Sequence, residues 1–186
     1  MLIDLNGLTY EDYRKLIKVF QGTAISEGHL YQRAIYNALS LKFNKIYYEY
    51  KLDISSLNVK RKTHRLDILI INEDTKKVLA INTKSVGCSH TIGIEHDVNE
   101  VNSYVHCLIK HFSGYEIEYI ICKRSNSGLS KDKKIDLIKS MPNNKATWLW
   151  DDEFYARFNL DGELINKEIQ NLVLTKLKEN YNKRFK

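Results

Sequence analysis

A chain of 186 residues, 43% hydrophobic and 28% charged, has the make-up of one globular domain with a core of its own. One proline, eight glycines and no internal repeat exclude long linkers and low-complexity tracts, and no run of about 18 apolar residues suggests a membrane span. Three cysteines are too few and too odd in number for a disulfide framework, and a formal charge of +6 tilts the chain toward an anionic partner. The opening MLIDLNGLTYEDYRKL lacks the basic, apolar, small-residue order of a signal peptide, so a cytoplasmic protein with no membrane partner is expected.

In chain order, TYEDYRKLIKVFQ predicts a short helix over residues 9–21, capped by Thr9 and stopped at Gly22. A second helix is expected from Ser26 to about Phe43, with Leu30, Ala34, Ile35, Ala38, Leu39 and Leu41 on its apolar side and Glu27 in its first turn. KIYYEYKLDI, LDILII and VLAINTK then read as three strands. IEHDVNEVNSYVHCLIKHF is an amphipathic helix carrying Ile94, Val98, Val101, Val105, Leu108 and Phe112 on one face. YEIEYIICK is a strand, KKIDLIKSM a short helix, ATWLW a last strand and LINKEIQNLVLTKLKENY a closing helix. Helices placed between strands imply right-handed crossovers, hence an α/β fold with a mixed β-sheet flanked by helices.

Within the second and third strands stand charges that a buried hairpin does not need. Asp67 and Asn82 are equidistant from the Asp74–Thr75 step, so a turn over EDTK sets them opposite each other. Lys84 shares the face of Asn82 because side chains alternate along a strand. A carboxylate and an ammonium on a half-buried sheet are costly unless paired or at work. The bland reading is an ion pair at a sheet edge, but the apolar flanks of both strands argue for central positions.

This frame resembles the PD-(D/E)xK superfamily of nucleases, the restriction-endonuclease-like fold. Leu66–Asp67 stands at the "PD" position, Asn82-Thr83-Lys84 at "ExK" and Glu27 as the upstream helical acid, within an α-β-β-β-α-β order. The resemblance implies one nuclease domain over 1–186, with a catalytic core over about 24–123 and a C-terminal strand and helix over 146–180. It implies Mg²⁺ held by Asp67 with Glu95 or Glu27 and the main-chain carbonyl of Thr83, and Lys84 orienting water or stabilising charge at phosphorus. The family has a glutamate where this chain has Asn82, and an amide oxygen is a weaker ligand for a hard cation. Either the site is disabled or an acid arrives from a neighbouring element; Glu95 is that candidate, although acids also favour helix N-termini through the dipole.

Two further clusters bear on partners. NVKRKTHR supplies Lys60, Arg61, Lys62 and Arg65 just ahead of Asp67, and with His90 they are the candidate contacts to double-stranded DNA, neutralising phosphates without reading bases. Cys88, His90, His96, His106, Cys107 and His111 hint at zinc, but His106 and His111 sit about 140° apart on a helix and Cys-x-His is not a usual ligand pair, so structural zinc is not expected.

The core uses most of the chain and leaves no room for a separate recognition domain. The chain is similar to the small cleaving subunits of heterodimeric type IIS restriction endonucleases of the GAGTC-recognising group. That likeness implies a Mg²⁺-dependent endodeoxyribonuclease subunit that cuts one strand when docked on a large recognition and nicking subunit. The alternatives are a self-sufficient homodimeric endonuclease, and a degenerate nuclease fold kept as a DNA-binding or assembly module.

Overall fold

A computed structural model describes residues 27–84, 94–124 and 129–185. The helix expected over residues 9–21 and the loop bearing Cys88 and His90 lie outside the described residues. In chain order the elements are α1 (Glu27–Ser40), β1 (Ile46–Asp53), β2 (Thr63–Asn72), β3 (Lys77–Lys84), α2 (Ile94–His111), β4 (Glu116–Lys123), α3 (Leu129–Ser140), β5 (Ala146–Trp150), α4 (Asp151–Phe158) and α5 (Gly162–Phe185).

The strands form one mixed sheet in the order β1-β2-β3-β4-β5. β1, β2 and β3 are antiparallel neighbours, whereas β4 and β5 run parallel to β3 and to each other. A parallel neighbour needs a crossover, and α2 and α3 provide the two. The hairpin of β2 and β3 pairs Ile68 with Ile81 and Asn72 with Lys77, so it is centred on the Asp74–Thr75 step as the sequence symmetry requires. Its turn is built locally: Asn72 Oδ1 accepts from Thr75 N–H at 3.0 Å and Lys76 takes the left-handed conformation at φ 51°.

Each face of the sheet closes a core. On one side Val98, Val101, Val105 and Leu108 of α2 and Ile135 and Ile138 of α3 cover Leu66, Leu69, Val78, Tyr119, Ile121 and Trp148. On the other, Tyr31, Ile35 and Leu39 of α1 and Ile165, Ile169 and Val173 of α5 cover Ile68, Ile70, Ile81 and Ile120. The periodic apolar positions of α1 and α5 therefore meet the sheet and each other, pinned at the rim by Asn37 Nδ2 donating to Glu168 Oε1 at 3.0 Å. The central strands β2, β3 and β4 are covered on both sides, which is why they read as near-continuous apolar runs.

One expectation needs correction. The sequence pattern leads straight from the last strand to the last helix, but α4 intervenes. Its signals are present: three acids, Asp151, Asp152 and Glu153, stand in its first turn, and Asn159 closes it in the left-handed conformation. Its short length hid them, because one buried residue, Phe154, carries its packing. On β5, Trp148 packs under α2 and α3, and Leu149 packs on the α1 side.

Among the described residues no helix is long and apolar enough to cross a membrane. Phe154 is 0% exposed and Leu41 87% exposed, which separates two truncations cleanly. Phe154→Ala should lower the unfolding free energy by about 3–5 kcal/mol, and Leu41→Ala should stay within about 0.5 kcal/mol. Urea denaturation followed by circular dichroism measures both.

Candidate active site

A regular strand sends residues i and i+2 to the same face. On β2, Leu66 packs on the α2 side but Ile68 on the α1 side, so the strand turns over between them. β1 does the same: Tyr50 packs on the α2 side, whereas Tyr48 meets Tyr36 of α1 edge-on at 5.2 Å. The residues between, Glu49 and Asp67, stand opposite each other, and the ladder passes from Tyr48↔Ile68 to Tyr50↔Leu66 without pairing them. Because both strands are disturbed together, the register survives. Glu49 absorbs the turnover at φ 52°, an uncommon conformation for a side chain of its kind.

The other flank of Asp67 is open as well. β2 and β3 pair as far as Ile68↔Ile81 and no further, so the Asp67–Asn82 step lies just beyond the ladder. Side chains take over its main-chain groups. Asp67 N–H donates to Asn82 Oδ1 at 3.3 Å, and Gln32 Nε2 of α1 donates to the Asp67 carbonyl at 3.3 Å. The Asp67 carboxylate in turn binds β3: Oδ2 accepts from Thr83 N–H at 2.6 Å and from Thr83 Oγ1 at 2.8 Å. Oδ1 makes no hydrogen bond among the described residues.

Burial pushes the Asp67 carboxyl above the ordinary aspartate range, against the pull of the Thr83 hydrogen bonds and of the charges of Lys84 and His29. Lys84 is exposed at the end of β3 and Asn82 is buried beside it, 8% exposed. Asp67 thus stands beside Asn82, as the hairpin symmetry requires, but its carboxylate bonds Thr83, which that symmetry did not single out. His29 and Gln32 bring the first turns of α1 to the same place, and Glu27 opens that helix. The side chains of Glu27 and Glu95 lie outside the described residues, as does His90; Glu95 stands in the first turn of α2.

Lys60, Arg61 and Lys62 are exposed on the loop that feeds β2, ahead of the site. Arg65 is exposed too, but its Nη1 pairs with Glu49 Oε1 at 3.0 Å, so it props the strained residue of β1. Of the residues weighed for zinc, Cys107 is buried in the core and His111 Nε2 lies 3.0 Å from Tyr50 Oη.

Two cations that come to lie beside Lys84 have no signal in the sequence. Lys123 and Arg124, 7% and 8% exposed, bring two more cations to the carboxyl ends of β3 and β4, where Lys123 pairs with Lys84. His64 stacks on Tyr104 of α2 with ring centroids 3.7 Å apart. Tyr119 is buried at 1% beneath α2. Only the parallel alignment of β3 with β4 brings the two cations beside Lys84.

A partly desolvated carboxylate with one oxygen unengaged among the described residues fits a hard cation, which would favour its charged form. The Asn82 amide oxygen fits less well, since it already accepts from Asp67 N–H. Asp67 Oδ1 and the Thr83 carbonyl are the donors this part of the chain offers, and further acid must come from Glu27 or Glu95. Among the described residues no group of three His, Cys, Asp or Glu side chains is poised for a metal.

These environments make opposite pH signatures. A carboxyl whose acidity weakens on folding binds its proton more tightly when folded, so stability is highest in acid and falls as pH rises through the raised value. Asp67→Asn keeps an acceptor for Thr83 and should abolish that fall, leaving the variant at least as stable as the parent at neutral pH. His64 runs the other way: burial and the Arg61 charge lower it from 6.5 to about 4, so its stability is full above 6.5 and is lost as pH falls through that window. His64→Phe should flatten the acid limb. Urea midpoints from pH 3 to 8 (roughly the span of both groups) test the pair. No protein-family model matches this sequence, and no curated protein matches it, so the site stands on its own geometry.

Proposed function

We propose that this chain is a Mg²⁺-dependent endodeoxyribonuclease with a restriction-endonuclease-like core. In this reading it is the small subunit that cuts one strand of a type IIS restriction site when docked on a large recognition subunit. The observation that carries the reading is the gathering of Asp67, Asn82 and Lys84 where the β2–β3 ladder opens, with α1 starting beside them. The order α1, β1, β2, β3, α2, β4 supports it, as do the exposed cations Lys60, Arg61 and Lys62 on the approach to β2.

In this reading Asp67 Oδ1 and the Thr83 carbonyl, with Glu27 and Glu95, hold the ion. Mg²⁺ supplies positive charge to a phosphoryl oxygen and acidifies water. The chain's own residues do the rest. Thr83 clamps one oxygen of Asp67, so the other keeps a fixed direction. Lys84, exposed at the strand end, stabilises the charge that grows on phosphorus and orients the attacking water. Lys60, Arg61 and Lys62 neutralise flanking phosphates and align the strand without reading its bases.

One observation favours a second reading. Asn82 replaces the family acid and is spent on the Asp67 main chain, while Asp67 itself satisfies Thr83, so the constellation could serve only to close the splayed hairpin. The chain would then be a degenerate module for DNA binding or assembly.

A duplex containing GAGTC, labelled differently at the two 5′ ends, separates these readings. It is incubated with Mg²⁺ and this chain alone, with a candidate large subunit alone, and with both. Second-strand cleavage only in the mixture is expected, with Asp67→Ala reducing it at least about 100-fold and Lys84→Ala about 10²–10³-fold, both with DNA binding retained. Cleavage by the chain alone would identify a homodimeric nuclease, and full activity in Asp67→Ala would sink the site assignment. Replacing Lys60, Arg61 and Lys62 by alanine should make log affinity fall less steeply with log salt, by about 0.9 for each phosphate they neutralise. Fluorescence anisotropy measures that slope.

A further inference from the structure

At one edge of the sheet two strands outlast their neighbours. β2 is paired with β3 only as far as Ile68, yet it stays paired with β1 through Leu66, Arg65, His64 and Thr63. Ahead of Asp67 the two strands therefore stand as a two-stranded ribbon. One face of it is packed: Leu52, Ile54 and Leu66 are buried in the core under α2, and His64 stacks on Tyr104 of that helix. The other face is exposed, with Lys51 opposite Arg65 and Asp53 opposite Thr63.

The connection between the strands is held in place. Ile54 N–H donates to the Lys62 carbonyl at 2.9 Å, and Asp53 Oδ1 accepts from Ser55 N–H at 2.8 Å. Leu57 packs against the core under α2, and Asn58 closes the helical turn Ser55–Leu57 in the left-handed conformation at φ 54°. Past these anchors project Asn58 to Lys62, all exposed, with Val59 at 44%. Among the described residues no carboxylate forms an ion pair with Lys60, Arg61 or Lys62. A tip ordered in this way loses little freedom when it meets a partner.

The shape and the charge fit duplex DNA. A two-stranded ribbon is one of the shapes that the major groove admits, and three consecutive exposed cations complement a row of phosphates. The two residues ahead of those cations carry what distinguishes an A·T pair in that groove. An asparagine amide pairs with N6 and N7 of adenine, and an apolar side chain meets the methyl group of thymine. Val59 stands eight residues ahead of Asp67. Strand and duplex each rise about 3.4 Å per step, so the tip lies at most about eight base pairs from a phosphodiester held at Asp67.

We propose that the tip of the β1–β2 ribbon reads bases: it enters the major groove beside the cut bond, with Asn58 and Val59 on the base edges and Lys60, Arg61 and Lys62 on the flanking phosphates. The chain then carries a sequence preference of its own, for A·T pairs close to the bond it cuts. The inference rests on the nuclease reading of the Asp67 site.

A binding selection from a random duplex library, without metal, tests it on the full chain beside the double variant Asn58→Gly, Val59→Ala. Glycine keeps the left-handed turn while removing the amide. The parent should enrich duplexes with an A·T pair at the position Asn58 reads by about 5–150-fold. The double variant should lose that enrichment, while its affinity falls with salt as steeply as the parent's because the phosphate contacts remain. A parent that selects no sequence, or an enrichment that survives in the variant, overturns the proposal. So does tighter binding of poly-L-glutamate than of duplex at equal charge, which would give the surface to an acidic protein. In the mixture that cuts, preferred bases more than about eight base pairs from the cut bond would be out of the strand's reach and would overturn it too. The two failures are distinguishable. If the parent binds no duplex, the nuclease reading fails and takes the inference with it. If it binds duplex and cleavage needs Asp67, but the double variant selects as the parent does, only the inference falls.

Discussion

The sheet gives up its main-chain pairing on both flanks of one residue, and the site follows from that. Asp67 lies in β2, the second strand of five, yet it pairs with neither Glu49 nor Asn82. Buried main-chain groups must find partners somewhere. Here Asn82 and Gln32 supply them from β3 and α1, and the carboxylate of Asp67 repays β3 through Thr83. Removing any of these would strand a polar group inside the fold. The interruption thus ties α1, β2 and β3 together at the end of the sheet where the strands part.

The irregularity has a local cost that the surroundings carry. Glu49 sits in a left-handed conformation, and Arg65 holds its carboxylate across the strand. Burial weakens the acidity of Asp67, against the pull of the Thr83 hydrogen bonds and of the charges of Lys84 and His29. Strain and weakened acidity thus coincide at one step of an otherwise regular, apolar sheet.

The carboxyl ends of the parallel strands collect the opposite charge. Lys84, Lys123 and Arg124 stand on adjacent ends of β3 and β4, and the exposed run from Lys60 to Lys62 leads into β2 on its way to Asp67.

The sequence by itself determined the element order, the mixed sheet and the hairpin register. Each depends on near neighbours: the period of the apolar residues, turn residues such as Asn72, and symmetry about one turn. The same logic set Asp67 opposite Asn82 and put Lys84 on the face of Asn82. It missed α4, whose eight residues offer one buried side chain to a pattern search. Only the tertiary structure decided that two strands turn over together at Glu49 and Asp67, because a paired disturbance leaves the register of each unchanged. Nor could the sequence show that Gln32 satisfies the Asp67 carbonyl from α1, or that Lys123 and Arg124 come to lie beside Lys84. Those residues are far apart along the chain, and distance along the chain carries no signal of which side chains packing will bring together.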